Sequence, residues 1–320
     1  MTLTDLRIVF LGTPDFAVAS LDALVKAGCN IVGVITAPDK PAGRGMKLTE
    51  SAVKKYAVEK GLHILQPEKL KNPTFLEELK NLQADVQVVV AFRMLPEVVW
   101  NMPPLGTINV HGSLLPQYRG AAPINWAVIN GEKVTGVTTF KLQHAIDTGD
   151  ILLQTTIPIG ENETAGELHD RMMHIGANTL VETMKGLING SLTPIKQKVF
   201  EIDNKIDFIL ENKELFKHAP KLFTETCQIN WNNAVDDIYN LIRGLSPYPA
   251  AFTFINDKKL KIYAGIKEKL SHNNENGRVI TDQKTFLKFS CTDGYILVLE
   301  LQLEGKKRMG IEEFLRGYRF

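Results

Sequence analysis

The chain of 320 residues is longer than one ordinary domain of about 100 to 200 residues, so we expect two domains. Hydrophobic residues make up 44% and charged residues 23%, which excludes a disordered or collagen-like chain. The formal net charge of +1 excludes a surface that is basic throughout, so any contact with nucleic acid must be local.

Short apolar runs alternate with amphipathic stretches through the first half of the chain. Strands are predicted at residues 7–11, 31–35, 63–65, 86–92, 107–111, 137–142 and 151–156. Helices are predicted to end near residue 28 and to cover 50–60, 73–82, 123–130 and 164–187. This alternation predicts an α/β fold with a Rossmann-like, mostly parallel sheet and helices on both faces.

One connection in this half, residues 37–47, is rich in proline, glycine and cations. Its composition predicts a loop without regular structure. The segment is long for a strand-to-helix connection, and long loops in compact domains are usually functional or disordered. Lys40, Arg44 and Lys47 are therefore candidate contacts for an anionic partner.

The pattern changes after about residue 205. Residues 193–206 have the composition of a connector, which divides the chain into domains 1–205 and 206–320. A helix over 234–243 is followed by strand candidates at 251–255, 260–264, 278–281 and 295–303. Short strands at regular spacing predict a small OB-like β-barrel as the second domain.

Targeting signals and metal motifs are missing from the sequence. The start of the chain has no charged and apolar leader, and no apolar run approaches the roughly 20 residues of a membrane helix. Cys29, Cys227 and Cys291 form no C-x-x-C pair and no metal-ligand cluster. We therefore expect a cytoplasmic protein in a reducing compartment, with no metal and no membrane partner, and we expect a monomer.

Asn109 and His111 lie at the end of the predicted strand 107–111. Residues two apart on a strand point to the same face, and open α/β sheets bind ligands outside the carboxyl ends of their strands. An amide donor and an imidazole there could hold an oxyanion, although such a pair alone more often only caps a strand. The loop Ser113-Leu-Leu-Pro116 adds apolar residues that suit a flat heteroaromatic ligand.

Asp147 lies in the turn Asp147-Thr-Gly149, just before the strand 151–156. Taken alone, it would be an ordinary turn aspartate that accepts hydrogen bonds from its own backbone. Together with Asn-x-His and Ser-Leu-Leu-Pro, however, this turn resembles the signature of the folate-dependent formyltransferases. The resemblance implies a catalytic triad of Asn109, His111 and Asp147.

The same resemblance implies a folate site and a co-substrate. It assigns folate binding to the loop residues Ser113, Leu114, Leu115 and Pro116, and it implies 10-formyltetrahydrofolate as the formyl donor. The chain departs from the family pattern near this site, with Phe92 and Arg93 after the fourth strand and Ala145 before the aspartate. These departures concern the wall of the pteridine pocket.

Further segments resemble the branch of the family that formylates methionyl-tRNA. They are Gly12 to Ala17, Pro38 to Gly45, Tyr118 to Trp126, Ile242 to Pro249 and Gly305 to Met309. This likeness spans essentially the whole chain and implies formyl transfer to the amino group of methionine on initiator tRNA, with tRNA contacts from Arg44, Lys40 and Lys47. The second domain is then a tRNA-binding domain.

Other readings of the sequence stay open. A formyltransferase could act on another amine, such as a sugar nucleotide or glycinamide ribonucleotide. A Rossmann-type oxidoreductase would need a G-x-G-x-x-G sequence, which the chain does not contain. An RNA-binding module without catalysis would have no need for Asn109, His111 and Asp147 together. His144, three residues before Asp147, is a rival histidine for which we expect a structural role.

Overall fold

The computed structural model describes residues 2–42, 47–197 and 216–319. The chain clusters into two compact units, the first made of Met1–Arg119, Gly136–Ile157 and Asp170–Lys217, and the second of Gly120–Thr135, Pro158–His169 and His218–Phe320. The expected domain boundary near residue 205 lies outside the described residues. Two segments that precede it in the sequence cluster with the second unit.

The elements up to residue 189 alternate strand and helix for most of their length. They are β1 (Arg7–Gly12), α1 (Asp15–Lys26), β2 (Asn30–Ile35), β3 (Lys40–Ala42), β4 (Lys47–Thr49), α2 (Ala52–Glu59), β5 (Ile64–Leu65), α3 (Pro73–Asn81), β6 (Val86–Val90), α4 (Glu97–Trp100), β7 (Thr107–His111), β8 (Arg119–Gly120), α5 (Pro123–Ile129), β9 (Val134–Lys141), β10 (Ile151–Pro158) and α6 (Ala165–Asn189).

Seven of these strands form one sheet in the order β10-β9-β7-β6-β1-β2-β5. The pairs β1–β2, β1–β6, β2–β5 and β6–β7 are parallel, and β7–β9 is antiparallel. The strands β1 and β6 are almost wholly buried, as expected for the centre of a parallel sheet covered on both faces. This arrangement confirms the predicted Rossmann-like class for the first unit.

Glycine and capping residues set how the strands pass into helices. A Cβ on Gly12 would lie 2.6 Å from the Cβ of Ala17, so only glycine lets β1 turn this closely into α1. The side chain of Asn72 caps α3 by accepting from the Thr74 amide at 2.9 Å, and Pro73 follows at the first helical position. The cap and the proline explain why α3 begins at the residue that the sequence predicts.

The predicted irregular loop at residues 37–47 is wrong in part. Strands β3 and β4 pair antiparallel, with Lys40 opposite Thr49 and Pro41 opposite Leu48, while residues 43–46 lie outside the described residues. Lys40, Pro41 and Leu48 are exposed, so the described side chains of the ribbon form no buried face, and the sequence shows no alternating hydrophobic pattern there. Pro41 is tolerated because a two-stranded ribbon has free edges.

The second unit contains an antiparallel sheet beside a short helix. After β11 (His218–Ala219) and a 3₁₀ turn (Glu225–Cys227), its elements are α7 (Val235–Leu245), β12 (Ala251–Ile255), β13 (Lys258–Lys269), β14 (Val279–Thr281), β15 (Leu287–Cys291), β16 (Gly294–Leu303), β17 (Met309–Gly310) and α8 (Ile311–Gly317).

The strands of this sheet follow the order β12-β13-β16-β15-β14, and β17 also pairs with β16. Register shifts in β13 between Ile262 and Gly265 mark bulges, which bend a strand and increase its twist. The apolar faces of α7 and of the strands form one core, which includes Ile238, Ile242 and Phe289. The OB-like class predicted for this part of the chain is thereby confirmed as a curled, antiparallel half-barrel.

Within the three described stretches, no helix is long and apolar enough to cross a membrane.

Candidate active site

Asn109 and His111 lie at the carboxyl end of β7, between β6 and β9. Asn109 is in register with Val89 on one side and Phe140 on the other, and His111 is in register with Thr138. Asn109 is half-buried, whereas His111 is buried. The strand therefore presents an accessible amide and a sheltered imidazole at the edge of the sheet where open α/β folds bind ligands.

His111 is oriented by contacts on both ring nitrogens. Its Nε2 lies 2.9 Å from the carbonyl oxygen of Tyr118, and because a carbonyl only accepts, Nε2 carries the hydrogen. Its Nδ1 lies 3.8 Å from Oδ2 of Asp147, too far for a hydrogen bond but close enough for charge interaction. The ring of Phe140 stands edge-on at 6.3 Å between centroids. The imidazole is therefore held between a carbonyl and a carboxylate.

Burial and charge act in opposite directions on His111. Burial lowers the pKa of His111, because removal from water disfavours the imidazolium, while the charge of Asp147 and the Tyr118 carbonyl oppose this shift. The net direction is downward, so the neutral ring predominates at neutral pH. With Nε2 protonated, the neutral ring points the lone pair of Nδ1 toward Asp147.

The turn that carries Asp147 has a constrained backbone. Asp147 itself has φ of 55°, in the left-handed region, and Thr148 Oγ1 donates to the carbonyl oxygen of Ala145 at 3.0 Å. A Cβ on Gly149 would lie 1.6 Å from the carbonyl oxygen of Lys141, so glycine is required there. Ala145 thus stabilises the turn through its backbone carbonyl, which accepts this hydrogen bond. The positive φ of Asp147 fits the observation that strained residues concentrate at functional sites.

The four residues assigned to folate binding lie in the loop directly after β7. Ser113 and Leu115 are buried, and Ser113 Oγ donates to the carbonyl oxygen of Gln117 at 2.6 Å. Leu115 packs with Phe140 in a small apolar cluster. Leu114 and Pro116 are half-buried, so theirs are the side chains in this loop that a ligand could contact. The assignment of all four to a folate site stays a prediction.

His144 and Arg93 are explained by contacts away from the imidazole of His111. His144 is exposed, and its Nε2 lies 2.9 Å from Glu97 Oε2. Arg93 donates from Nη1 to the Glu68 carbonyl oxygen at 2.7 Å and from Nη2 to that of Pro67. Arg93 therefore fastens the segment after β5, a role that the sequence did not reveal.

A cavity of about 440 Å³ lies at the carboxyl ends of β1, β2 and β6. Lys40, Arg93, Asp39 and Glu68 contribute charged groups to its lining, and Thr13, Ala37, Pro38 and Phe92 complete it. Lys40 is exposed in β3, and Lys47 begins β4, whereas Arg44 lies outside the described residues. Of the three predicted tRNA contacts, Lys40 is thus placed at the same edge of the sheet as His111.

In residues 2–42, 47–197 and 216–319, no group of three or more His, Cys, Asp or Glu side chains could hold a metal ion.

Two family models match the chain. One described as "Formyl transferase" matches residues 6–184, and one described as "Formyl transferase, C-terminal domain" matches residues 221–319. A methionyl-tRNA formyltransferase from Parabacteroides distasonis is 54% identical over 325 residues, which covers 100% of this chain and 98% of the relative. One from Bacteroides thetaiotaomicron is 50% identical over 324 residues, with the same coverage.

A solved structure has the same fold. It is an N-formyltransferase from Helicobacter canadensis in complex with folinic acid and dTDP-3-aminofucose, with a TM-score of 0.67, 20% identity, and coverage of 95% of this chain and 100% of that one. The family matches cover most of both units and confirm the resemblance read from the sequence. The chain is an enzyme of the formyl transferase family.

Proposed function

We propose that this enzyme transfers the formyl group of 10-formyltetrahydrofolate to the amino group of methionine on initiator methionyl-tRNA. The observation that carries the proposal is the group of Asn109, His111 and Asp147, whose backbones come from the end of β7 and from the turn before β10. An amide donor, a neutral imidazole and a carboxylate provide the groups that acyl transfer to an amine needs.

The imidazole of His111 and the carboxylate of Asp147 together accept the proton that the attacking amine loses. The neutral ring keeps its hydrogen on Nε2, so Nδ1 and Asp147 Oδ2 are two acceptors that face each other across 3.8 Å. A proton released by the amine is taken up there, and Asp147 stabilises the imidazolium that forms. The same proton then passes to the nitrogen that leaves the formyl carbon. His111 and Asp147 therefore end the reaction in the protonation state in which they began it.

Asn109 stabilises the negative charge that develops on the formyl oxygen. Loss of one preorganised donor of this kind typically costs about 2.7 to 4 kcal/mol in transition-state stabilisation. Protonated His111 contributes through its positive charge and not as a second donor, because its Nε2 faces the Tyr118 carbonyl and its Nδ1 faces Asp147. Asn109 is the constant donor, since its amide carries hydrogens throughout the cycle.

The site fits a folate as the source of the formyl group. The half-buried side chains of Leu114 and Pro116 adjoin the polar end of β7, which suits a flat ring with a reactive carbon at one side. The folate supplies the activated one-carbon unit, while the protein supplies position, donors and a proton acceptor. We propose that Ser113 and Leu115 act by fixing the shape of this loop.

The choice of methionyl-tRNA as acceptor rests on the relatives and on the surface near β3. Relatives about 50% identical over their full length are methionyl-tRNA formyltransferases. Lys40 is an exposed cation at a cavity of about 440 Å³, suited to a phosphate of the acceptor end, and we propose the same role for Arg44 and Lys47. Because this substrate belongs to translation initiation, we propose that the enzyme is cytoplasmic. We also propose that it acts as a monomer.

The test is a comparison of acceptors under one set of conditions. The protein is incubated with 10-formyltetrahydrofolate and either methionyl initiator tRNA, an amino-sugar nucleotide or glycinamide ribonucleotide, and formylated product is measured by mass. We expect formylmethionyl-tRNA as the dominant product. Faster formylation of either small amine would replace the proposed acceptor while leaving the reaction class in place.

A further inference from the structure

The segment after α6 runs beside the turn that carries Asp147. Ile195 forms an antiparallel bridge with Ile151, with two backbone hydrogen bonds of 2.8 Å, one in each direction. Ile151 is the first residue of β10 and follows the turn by two positions. The bridge therefore fixes the register of residues 195–197 against the end of the turn.

Gln197 uses every hydrogen-bonding position of its amide in this place. Nε2 donates to the carbonyl oxygens of Asp147 at 2.9 Å and Gly149 at 2.8 Å. Oε1 accepts from Nε of Arg119 at 3.1 Å and from Nη2 at 2.6 Å. A glutamine amide has two N–H donors and two acceptor lone pairs, so this buried side chain is fully satisfied.

Arg119 determines which way the amide points. A guanidinium only donates, so Oε1 must face Arg119 and Nε2 must face the two carbonyls of the turn. Arg119 follows directly after Tyr118, whose carbonyl accepts from His111. Gln197 is thus linked to both ring nitrogens of His111. One link runs through Arg119 and the Tyr118 carbonyl to Nε2, and the other runs through Asp147 to Nδ1.

We propose that Gln197 is a positioning residue for formyl transfer, whose amide holds the Asp147 turn in the backbone conformation that keeps Asp147 Oδ2 facing His111 Nδ1. The inference rests on the proposed function and deepens it, because it assigns a role in catalysis to the segment that follows α6. Gln197 does not itself contact the reacting atoms. It acts through Asp147.

Loss of the amide has two consequences that can be measured separately. The turn loses two donors next to a residue in the left-handed region, so the Asp147 carboxylate moves away from the imidazole. Displacement by about 1 Å of a group in a catalytic constellation can reduce turnover roughly 10²-fold. Because the charge of Asp147 raises the pKa of His111 against the effect of burial, its departure also lowers that pKa further.

The experiment compares Gln197→Met with a matched control, Gln83→Met. Methionine keeps the length of the side chain and adds no charge, and Gln83 is an exposed glutamine that precedes β6, at the opposite edge of the sheet. Folding is followed by thermal unfolding, kcat and KM by formylation of methionyl-tRNA, and the pKa of His111 by NMR titration of its ring protons. The NMR titration requires no substrate.

For Gln197→Met we expect kcat lower by about 10- to 100-fold, with KM for both substrates changed by less than about threefold. The pKa of His111 should fall, in the same direction as in Asp147→Asn, and Gln83→Met should match wild type. A folded Gln197→Met with wild-type kcat would overturn the proposal. So would a lower kcat with an unchanged His111 pKa, because that combination indicates a structural role alone.

A second variant covers the case in which Gln197→Met does not fold. Gln197→Glu keeps two acceptors for Arg119 but turns a carboxylate oxygen toward the carbonyls of Asp147 and Gly149. We expect at least a tenfold loss of kcat, and wild-type turnover in a folded Gln197→Glu would overturn the proposal. If the wild-type protein forms no formylmethionine, the proposed function fails, while the NMR titration still decides whether Gln197 positions Asp147.

Discussion

Two polar segments at the same edge of the parallel sheet are built in opposite ways. The turn Asp147-Thr-Gly149 is enclosed: Gly149 is buried against the Lys141 carbonyl, and Asp147 and Thr148 are half-buried. It contains a left-handed residue, and two side chains donate to backbone carbonyls in or beside it. In the β3–β4 ribbon, by contrast, the described side chains of Lys40, Pro41, Leu48 and Thr49 are all exposed. We propose that the two segments have different roles: the enclosed turn holds the reacting groups in place, and the exposed ribbon binds the large acceptor substrate.

Neutralisation of Asp147 should have the largest effect on turnover. Asp147→Asn keeps the size of the side chain but removes the negative charge that stabilises a protonated His111. Proton transfer by a positioned side chain typically contributes about 10²- to 10⁴-fold to the rate. We expect kcat to fall within that range in a steady-state formylation assay. Asp22→Asn, on α1, is the control and should retain activity, since an amide still accepts from the Tyr56 hydroxyl. Similar losses in both variants would contradict a special role for the turn.

Substitution of Gly149 tests whether the enclosure itself matters. In Gly149→Ala the new methyl group meets the Lys141 carbonyl oxygen at 1.6 Å, so the backbone of the turn must move. We expect a loss of roughly 1 to 3 kcal/mol in the free energy of unfolding, measured by denaturant titration. Gly317→Ala, where a Cβ has open space around it, should change stability by less than about 0.5 kcal/mol. Equal stability of the two variants would mean that the turn is not enclosed as described.

The pH dependence of the wild-type enzyme should follow from the environment of His111. Burial lowers the pKa of His111, so the neutral ring that accepts the proton is present at neutral pH and is lost only on acidification below the usual value of about 6.5. Once the protonation of the substrate's α-amino group, with an ordinary pKa of about 7.7 to 8.0, is divided out, we expect kcat/KM to be level near pH 7 and to fall about tenfold per pH unit below the depressed pKa of His111. In Asp147→Asn the acid limb should move to still lower pH. A shift to higher pH would contradict the opposing influence of Asp147.

The smallest effect is expected on the exposed ribbon. Lys40→Ala removes one phosphate contact, so the affinity for tRNA should fall a fewfold and the salt slope of binding should decrease by about one. Lys26→Ala, at the end of α1 and at the opposite edge of the sheet, is the matched exposed control. Both quantities are measured by tRNA titration at several salt concentrations. A loss of folate binding in Lys40→Ala would remove the distinction between the two segments.

Much of the first unit could be predicted because its signals are local. Buried apolar runs define β1, β2, β6 and β7, and Asn72 with Pro73 marks the start of α3. The β3–β4 ribbon was not predicted because its strands have only three residues each, too few to show an alternating apolar pattern. The short helices α4 and α8 were not predicted because so few residues show little helical periodicity, whereas α5, also of seven residues, begins with a proline at its first position.

At the site, the strand spacing of Asn109 and His111 was readable, and the family resemblance supplied Asp147. The partners of Gln197 were not readable, because Arg119 lies 78 residues before it and Asp147 lies 50 residues before it. A lone glutamine in a connector has no periodicity or motif that indicates such contacts. The same holds for Arg93, whose carbonyl partners depend on how the segment after β5 folds back.

The most direct test of the reaction assigned to this site is single-turnover formation of formylmethionyl-tRNA, with both substrates saturating, by wild type and by Asn109→Ala. We expect product from the wild-type enzyme and a rate about 10²- to 10³-fold lower from the folded variant, because the donor to the formyl oxygen is gone. Equal rates from the two proteins would show that this amide does not act on the formyl oxygen and would contradict the mechanism.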